Sequence, residues 1–228
     1  MFCYTGSIRD GYFQYAWSPH WAWVQGFPVE ANKWYHAAVV YDGATQKVYK
    51  NGKKEFERTQ IGAITQNGYG LVLGDRPSYA APFKGEIDEV RVWSTARTQE
   101  EIFGNKDHPI TGQETGLVGY WPCDEKSGQI LYDHSPNRWH GQIQTDISRD
   151  ARRFNPSYIV NPTQKWLAFD GVDDHITVPA DVWFSGGDFT IESWVYLDDY
   201  NSYAKVIDFG NGQFNDTVSL CTSLLESL

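Results

Sequence analysis

Residues 166–197, WLAFDGVDDHITVPADVWFSGGDFTIESWVYL, carry the pattern that decides the fold. Alternating residues predict strands over Trp166–Phe169 and His175–Val178, on either side of an acidic glycine turn. A third strand is predicted over Phe189–Leu197, after a Gly-Gly break. At the rim of a β-sandwich, a strand, acidic turn, strand unit can direct carboxylates and loop carbonyls at one hard cation. The stretch therefore predicts antiparallel β-structure and a candidate calcium site.

Four further segments extend this pattern over most of the chain: WYHAAVVYD at 34–42, VYKNG at 48–52, GEIDEVRVW at 85–93 and GLVGYWPCDE at 116–125. Together with residues 166–197 they resemble the laminin-G-like (LamG) domains of the concanavalin A-like jelly-roll superfamily, which are related to the pentraxins. The resemblance implies an all-β fold in which two antiparallel sheets form a jelly-roll sandwich.

The order of the segments differs from the order in that family. In the family, the segment that resembles 116–125 opens the domain and the one that resembles 85–93 closes it. We therefore interpret residues 1–104 as the C-terminal half of a jelly roll, 105–116 as a linker and 117–228 as the N-terminal half, together one sandwich. Half a sandwich has open sheet edges and too small a core to fold alone. We expect the halves to complete each other, by circular permutation or by exchange between two chains of a homodimer, unless the chain is a cut from a tandem array.

Composition fits a β-rich module outside the cell. Hydrophobic residues make up 41% and aromatic residues 16% of the chain, and no apolar run is long enough to span a membrane. The net charge of −10 disfavours nucleic acid and anionic membranes as partners; it suits a cation-binding secreted module, but ordinary solubility is the favoured explanation of the acidity. An extracellular or cell-surface location is expected, without a signal peptide in this chain. Cys3, Cys123 and Cys221 are too few and too scattered for a disulfide framework, so buried free thiols are favoured.

One short helix is predicted in an otherwise β-rich chain. Thr98 and Glu101 have the spacing of a capping box, which favours a helix start. Ile102 and Phe103 are expected to face inward, and Gly104 is expected to end the helix.

The candidate metal ligands are carboxylates. Asp170, Asp173 and Asp174 suit calcium, which prefers oxygen ligands, but aspartates and glycines are also ordinary turn formers. The resemblance places the strand of Asp88 beside the opening strand of the domain, so Asp88 is expected to reach the same rim. The alternative for Asp88 is the solvent-facing side of a strand.

A glycan site is expected at rim loops and exposed aromatic rings. The candidate ligand-binding residues are loop acids and amides together with two tryptophans: Asp208, Asn211, Asn215, Asp216, Trp17 and Trp21. Acids and amides can bind either a cation or sugar hydroxyls, and aromatic rings can stack on sugar faces. The alternatives are a plain glycine-rich hairpin for the loop and core packing for the tryptophans.

Catalysis is not expected. Superfamily glucanases carry a strand motif, E-x-D-x-x-E, which Glu86 and Asp88 begin, but Arg91 stands at the position of the proton-donating carboxyl. Glycoside hydrolysis in its usual form needs two carboxyl groups across the bond. The sequence thus predicts a non-catalytic extracellular binding module for calcium-assisted recognition of glycans or glycoproteins, of the adhesion type. The alternatives are a purely structural repeat of a large surface protein and a glycoside hydrolase with unusual machinery.

Overall fold

The computed structural model describes residues 10–17, 24–59, 70–75, 82–125, 127–144, 166–179, 183, 187–200, 204–209 and 218–224. These residues form fifteen strands and one helix: β1 (Asp10–Trp17), β2 (Val24–Glu30), β3 (Trp34–Tyr41), β4 (Thr45–Lys50), β5 (Lys53–Thr59), β6 (Leu71–Leu73), β7 (Lys84–Trp93), α1 (Gln99–Asn105), β8 (Leu117–Trp121), β9 (Ile130–Leu131), β10 (Gly141–Gln144), β11 (Leu167–Asp170), β12 (His175–Val178), β13 (Phe189–Leu197), β14 (Lys205–Asp208) and β15 (Val218–Leu224).

The strands form two antiparallel sheets, so the predicted all-β, two-sheet jelly-roll sandwich is confirmed. The eight-stranded sheet has the order β2-β1-β15-β14-β6-β12-β10-β9. The seven-stranded sheet has the order β11-β7-β13-β3-β4-β5, with β8 also paired to β7. Each sheet contains strands from before and after the segment 105–116, and β8 pairs with β7 as expected from the motif order. The permuted order itself stays a prediction.

The central strands of the seven-stranded sheet are covered on both faces. Every residue of β3 is buried, as the apolar character of both its faces predicts. On the inner face, Val39, Ile191 and Val92 belong to the core between the sheets. The outer face carries buried polar residues, among them Glu192 and Arg91. These residues are buried because another segment covers them.

That segment, residues 94–116, is called the strap. The Trp194 indole N–H donates to the Lys106 carbonyl at 2.6 Å, which fixes the strap to the outer face. Helix α1 lies within the strap and starts at the predicted capping box of Thr98 and Glu101. Ile102 is buried, but Phe103 is 61% exposed, so the prediction that Phe103 faces inward is wrong. Successive helical residues point about 100° apart, and this short helix buries a single stripe.

Gly104 also does not end the helix as predicted, because α1 continues to Asn105. Cys123 and Cys221 are buried free thiols, and Cys3 lies outside the described residues. Within the described part of the chain, no helix has both the length and the apolar character needed to cross a bilayer.

Candidate functional site

The acidic turn predicted from the sequence joins the two sheets at the rim of the sandwich. It connects β11 in the seven-stranded sheet to β12 in the eight-stranded sheet. Asp170, Asp173 and Asp174 each offer a carboxylate oxygen, and these atoms lie within 4.8 Å of one another. Gly171, with φ of 81°, takes the left-handed conformation that the turn requires. The structure therefore brings together the three carboxylates that the sequence selected.

Hydrogen bonds within the turn hold its carboxylates in place. The Asp170 backbone N–H donates to Asp174 Oδ2 at 3.0 Å, and the Val172 N–H donates to Asp170 Oδ1 at 2.7 Å. Asp174 is 4% exposed, while Asp170 and Asp173 face solvent. Calcium takes six to eight oxygen ligands at about 2.3–2.6 Å. Three carboxylates supply part of such a set, so waters, carbonyls or ligand hydroxyls are needed to complete it.

A segment from a distant part of the sequence approaches this turn. Ile176 of β12 pairs with Leu73 of β6, and Gly74 and Asp75 follow β6 directly. A Cβ built on Gly74 would lie 3.2 Å from the Asp174 carbonyl oxygen, which shows how closely the two segments approach. The pairing of β6 with β12 joins residues about a hundred positions apart, and no local pattern predicts it.

Asp88, the fourth predicted metal ligand, does not lie at this turn. The register between β11 and β7 places Lys84, not Asp88, directly across from Asp170. Asp88 is four residues further along β7, roughly 13 Å away. It is 3% exposed, so it is also not on a solvent-facing side of the strand. We therefore omit Asp88 from the candidate calcium site.

A buried ion network occupies the place where the glucanase motif has its proton donor. The Arg91 guanidinium donates to Glu89 Oε2 at 2.5 Å and to the carbonyls of Asn105 and His108 at 3.0 and 2.7 Å. Glu192 Oε1 lies 3.7 Å from Arg91 Nη1. Burial raises the pKa of Glu192 and of Glu89 even though Arg91 opposes the shift. Arg91 thus ties the strap to the sheet, and a guanidinium cannot act as the missing carboxylic acid.

Asp208, predicted to bind a ligand at a rim loop, is instead buried. It ends β14, pairs with Val72 and Ser219, and is 1% exposed. Of Trp17 the structure describes only the backbone, which pairs with Val218 in β15. The other candidates for ligand binding lie outside the described residues: Asn211, Asn215, Asp216 and Trp21.

Comparisons with known proteins agree with this architecture. Residues 6–103 match the sequence model of a family described as the concanavalin A-like lectin/glucanases superfamily, Laminin_G_3. Pappalysin-1 of Mus musculus is 35% identical over 80 residues, which are 33% of this chain and 5% of that protein. The chain therefore spans only a small part of this relative. No solved structure matches the chain significantly.

The match and the fold define the class of protein. Residues 6–103 are similar to laminin-G-like domains of the concanavalin A-like superfamily, and the strands beyond them complete the same two-sheet sandwich. Domains of the laminin-G-like class are in general non-catalytic binding modules.

Proposed function

We propose that this protein is a non-catalytic extracellular binding module that recognises glycans or glycoproteins with the help of calcium. The observation that carries the proposal is the cluster of Asp170, Asp173 and Asp174, whose carboxylate oxygens lie within 4.8 Å of one another. The cluster belongs to a turn between the two sheets of a laminin-G-like sandwich. A cation at this position would neutralise three neighbouring carboxylates and hold the two sheet edges together.

The exposure of the cluster suggests how calcium takes part in recognition. Asp174 is buried and anchors the turn, whereas Asp170 and Asp173 are open to solvent. Because the three carboxylates leave calcium positions unfilled, its solvent-facing side can accept the hydroxyl oxygens of a sugar. In this arrangement the protein places the cation, and the cation contributes directly to binding the glycan.

Calcium titration followed by calorimetry and by thermal melting tests the metal component. Calcium should bind and raise the melting temperature, because mass action adds about 2.7 kcal/mol to the free energy of unfolding at a hundred times Kd. The variant Asp173→Asn, which changes an exposed ligand and leaves the hydrogen bonds to the Asp170 and Asp174 carboxylates intact, should bind calcium more weakly. Asp188→Asn, an exposed aspartate outside the cluster, is the matched control. Identical melting temperatures in calcium and in chelator would contradict the proposal.

The lack of catalysis is supported by Arg91, which is 1% exposed and bound to Glu89 and to the strap. No carboxyl stands at the sixth position of the motif that Glu86 begins. Incubation with laminarin, lichenan and xylan should therefore release no new reducing ends. Sustained release that disappears in Glu86→Gln would identify a glycoside hydrolase instead.

A further inference from the structure

The outer face of the seven-stranded sheet carries acidic and aromatic side chains in two adjacent rows. The pairings of β11, β7, β13 and β3 place residues side by side across four strands. The first row is Ala168, Glu86, Tyr196 and Trp34. Continuing the register of β11 by one residue, the second row is Trp166, Asp88, Trp194 and His36. Asp88 thus lies between two tryptophans, whereas Glu86 lies between Ala168 and Tyr196.

Two tryptophans from the outer strands of this group lean over the strands between them. Strands β3 and β11 are three spacings apart, about 14 Å. The rings of Trp34 and Trp166 nevertheless meet edge to face with centroids 5.6 Å apart, and Trp34 also contacts Tyr196 at 5.5 Å. We call these three rings, together with Asp88, which lies beside Trp166 in the second row, the aromatic recess. Trp166 and Tyr196 remain partly exposed, so the recess can be reached from their side.

Asp88 has an unmet hydrogen-bonding requirement. It is 3% exposed, and its Oδ1 has no hydrogen-bond partner among the described residues. Its carboxyl accepts the backbone N–H of Glu89. Arg91, the cation that acts on it, is already bound to Glu89 and to two strap carbonyls. Burying a carboxylate oxygen without a partner lowers the stability of the fold unless a hydrogen-bond donor or a cation contacts it.

The chain itself shows which chemical group suits an aromatic ring next to Asp88. The Lys106 ammonium lies over the Trp194 ring, 5.6 Å from its centroid, and Trp194 is opposite Asp88 in the second row. An alkylammonium combines methylenes that pack on aromatic faces with a charge that the ring faces and a carboxylate both attract. The net charge of −10 favours the approach of a cationic group.

We propose that the aromatic recess, formed by Trp34, Trp166, Tyr196 and Asp88, binds a lysine side chain of a partner protein. The ammonium donates to Asp88 Oδ1, and the methylenes pack between the aromatic rings. This site is distinct from the acidic turn at Asp170, so it can be present or absent whether or not the turn binds calcium.

Fluorine NMR of protein labelled with 5-fluorotryptophan tests the proposal. The chain has 10 tryptophans, and Trp166→Phe and Trp34→Phe assign the two resonances of interest. Adding Nα-acetyl-lysine-N-methylamide should shift both resonances saturably. Trp183, which packs in the core against Trp139, should not respond. The norleucine analogue has a similar chain without the ammonium and should cause no shift.

Asp88→Asn keeps the shape of the side chain and removes its charge. It should weaken lysine binding by about tenfold or more, while Asp188→Asn should leave the binding unchanged. A dispersed fluorine spectrum of Asp88→Asn establishes that the variant is folded. The proposal is overturned if norleucine binds as well as lysine, if Asp88→Asn retains full binding, or if calcium chloride alone shifts the Trp166 resonance while lysine does not.

Discussion

Replacing Arg91 by methionine should destabilise the fold strongly. Methionine is similar in length but carries no charge, so it leaves Glu89 and Glu192, 3% and 2% exposed, without their cation. It also removes the donors to the strap carbonyls of Asn105 and His108. Breaking a buried ion pair by removing one partner costs about 3–5 kcal/mol, because an uncompensated charge stays buried. We expect a loss in this range in the free energy of unfolding.

Urea denaturation at pH 7.5 measures this loss, and lowering the pH tests its cause. Burial already raises the pKa of both carboxyls, so they are protonated first as the pH falls. A protonated carboxyl needs no cation, and the difference between Arg91→Met and the parent should therefore shrink in acid. Lys33→Met, which removes an exposed ion pair with Glu30, should have no measurable effect. A loss below about 1 kcal/mol at pH 7.5 would refute the reasoning.

Three further changes have defined outcomes. Asp88→Asn should raise the free energy of unfolding at neutral pH, because burial raises the pKa of Asp88 and so disfavours its charged form in the folded protein. The contribution of Asp88 to stability is present below about pH 4 and is lost as the pH rises through the folded-state pKa. The urea denaturation curves of the variant and the parent should therefore converge in acid. Asp133→Ala should cost about 3–5 kcal/mol by urea denaturation, because the buried carboxylate accepts hydrogen bonds from Tyr120 N, Ser135 N and Trp139 N at 2.8–2.9 Å. Gly74→Ala, at φ 84° and with its new Cβ 2.3 Å from a ring carbon of Phe169, should lower the melting temperature and weaken calcium binding at the adjacent turn.

The sequence predicts what depends on local patterns. Apolar residues on both faces mark β3 as a central strand, and Asp170, Asp173 and Asp174 are close in the chain, so one turn can bring them together. The capping box at Thr98 is likewise local.

The features that the sequence does not predict depend on the register between distant strands and on a β-bulge in β7. A shift in the pairing of β7 with β13 falls between Asp88 and Arg91, and Glu89 there has φ of 51°. This bulge, which no local pattern announces, separates the environments of Asp88 and Arg91 on one strand. Gly74 approaches the acidic turn through the pairing of β6 with β12, and Asp88 is kept from it by the pairing of β11 with β7.

Binding to a glycan array, with calcium and with chelator, tests the proposed function most directly. The parent protein should bind a defined group of glycans in calcium and lose that binding in chelator. Asp173→Asn should bind weakly under both conditions, and Asp188→Asn should behave as the parent. Glycan binding that is the same with and without calcium, or no binding to any glycan when calcium saturates the acidic turn, would contradict calcium-assisted glycan recognition.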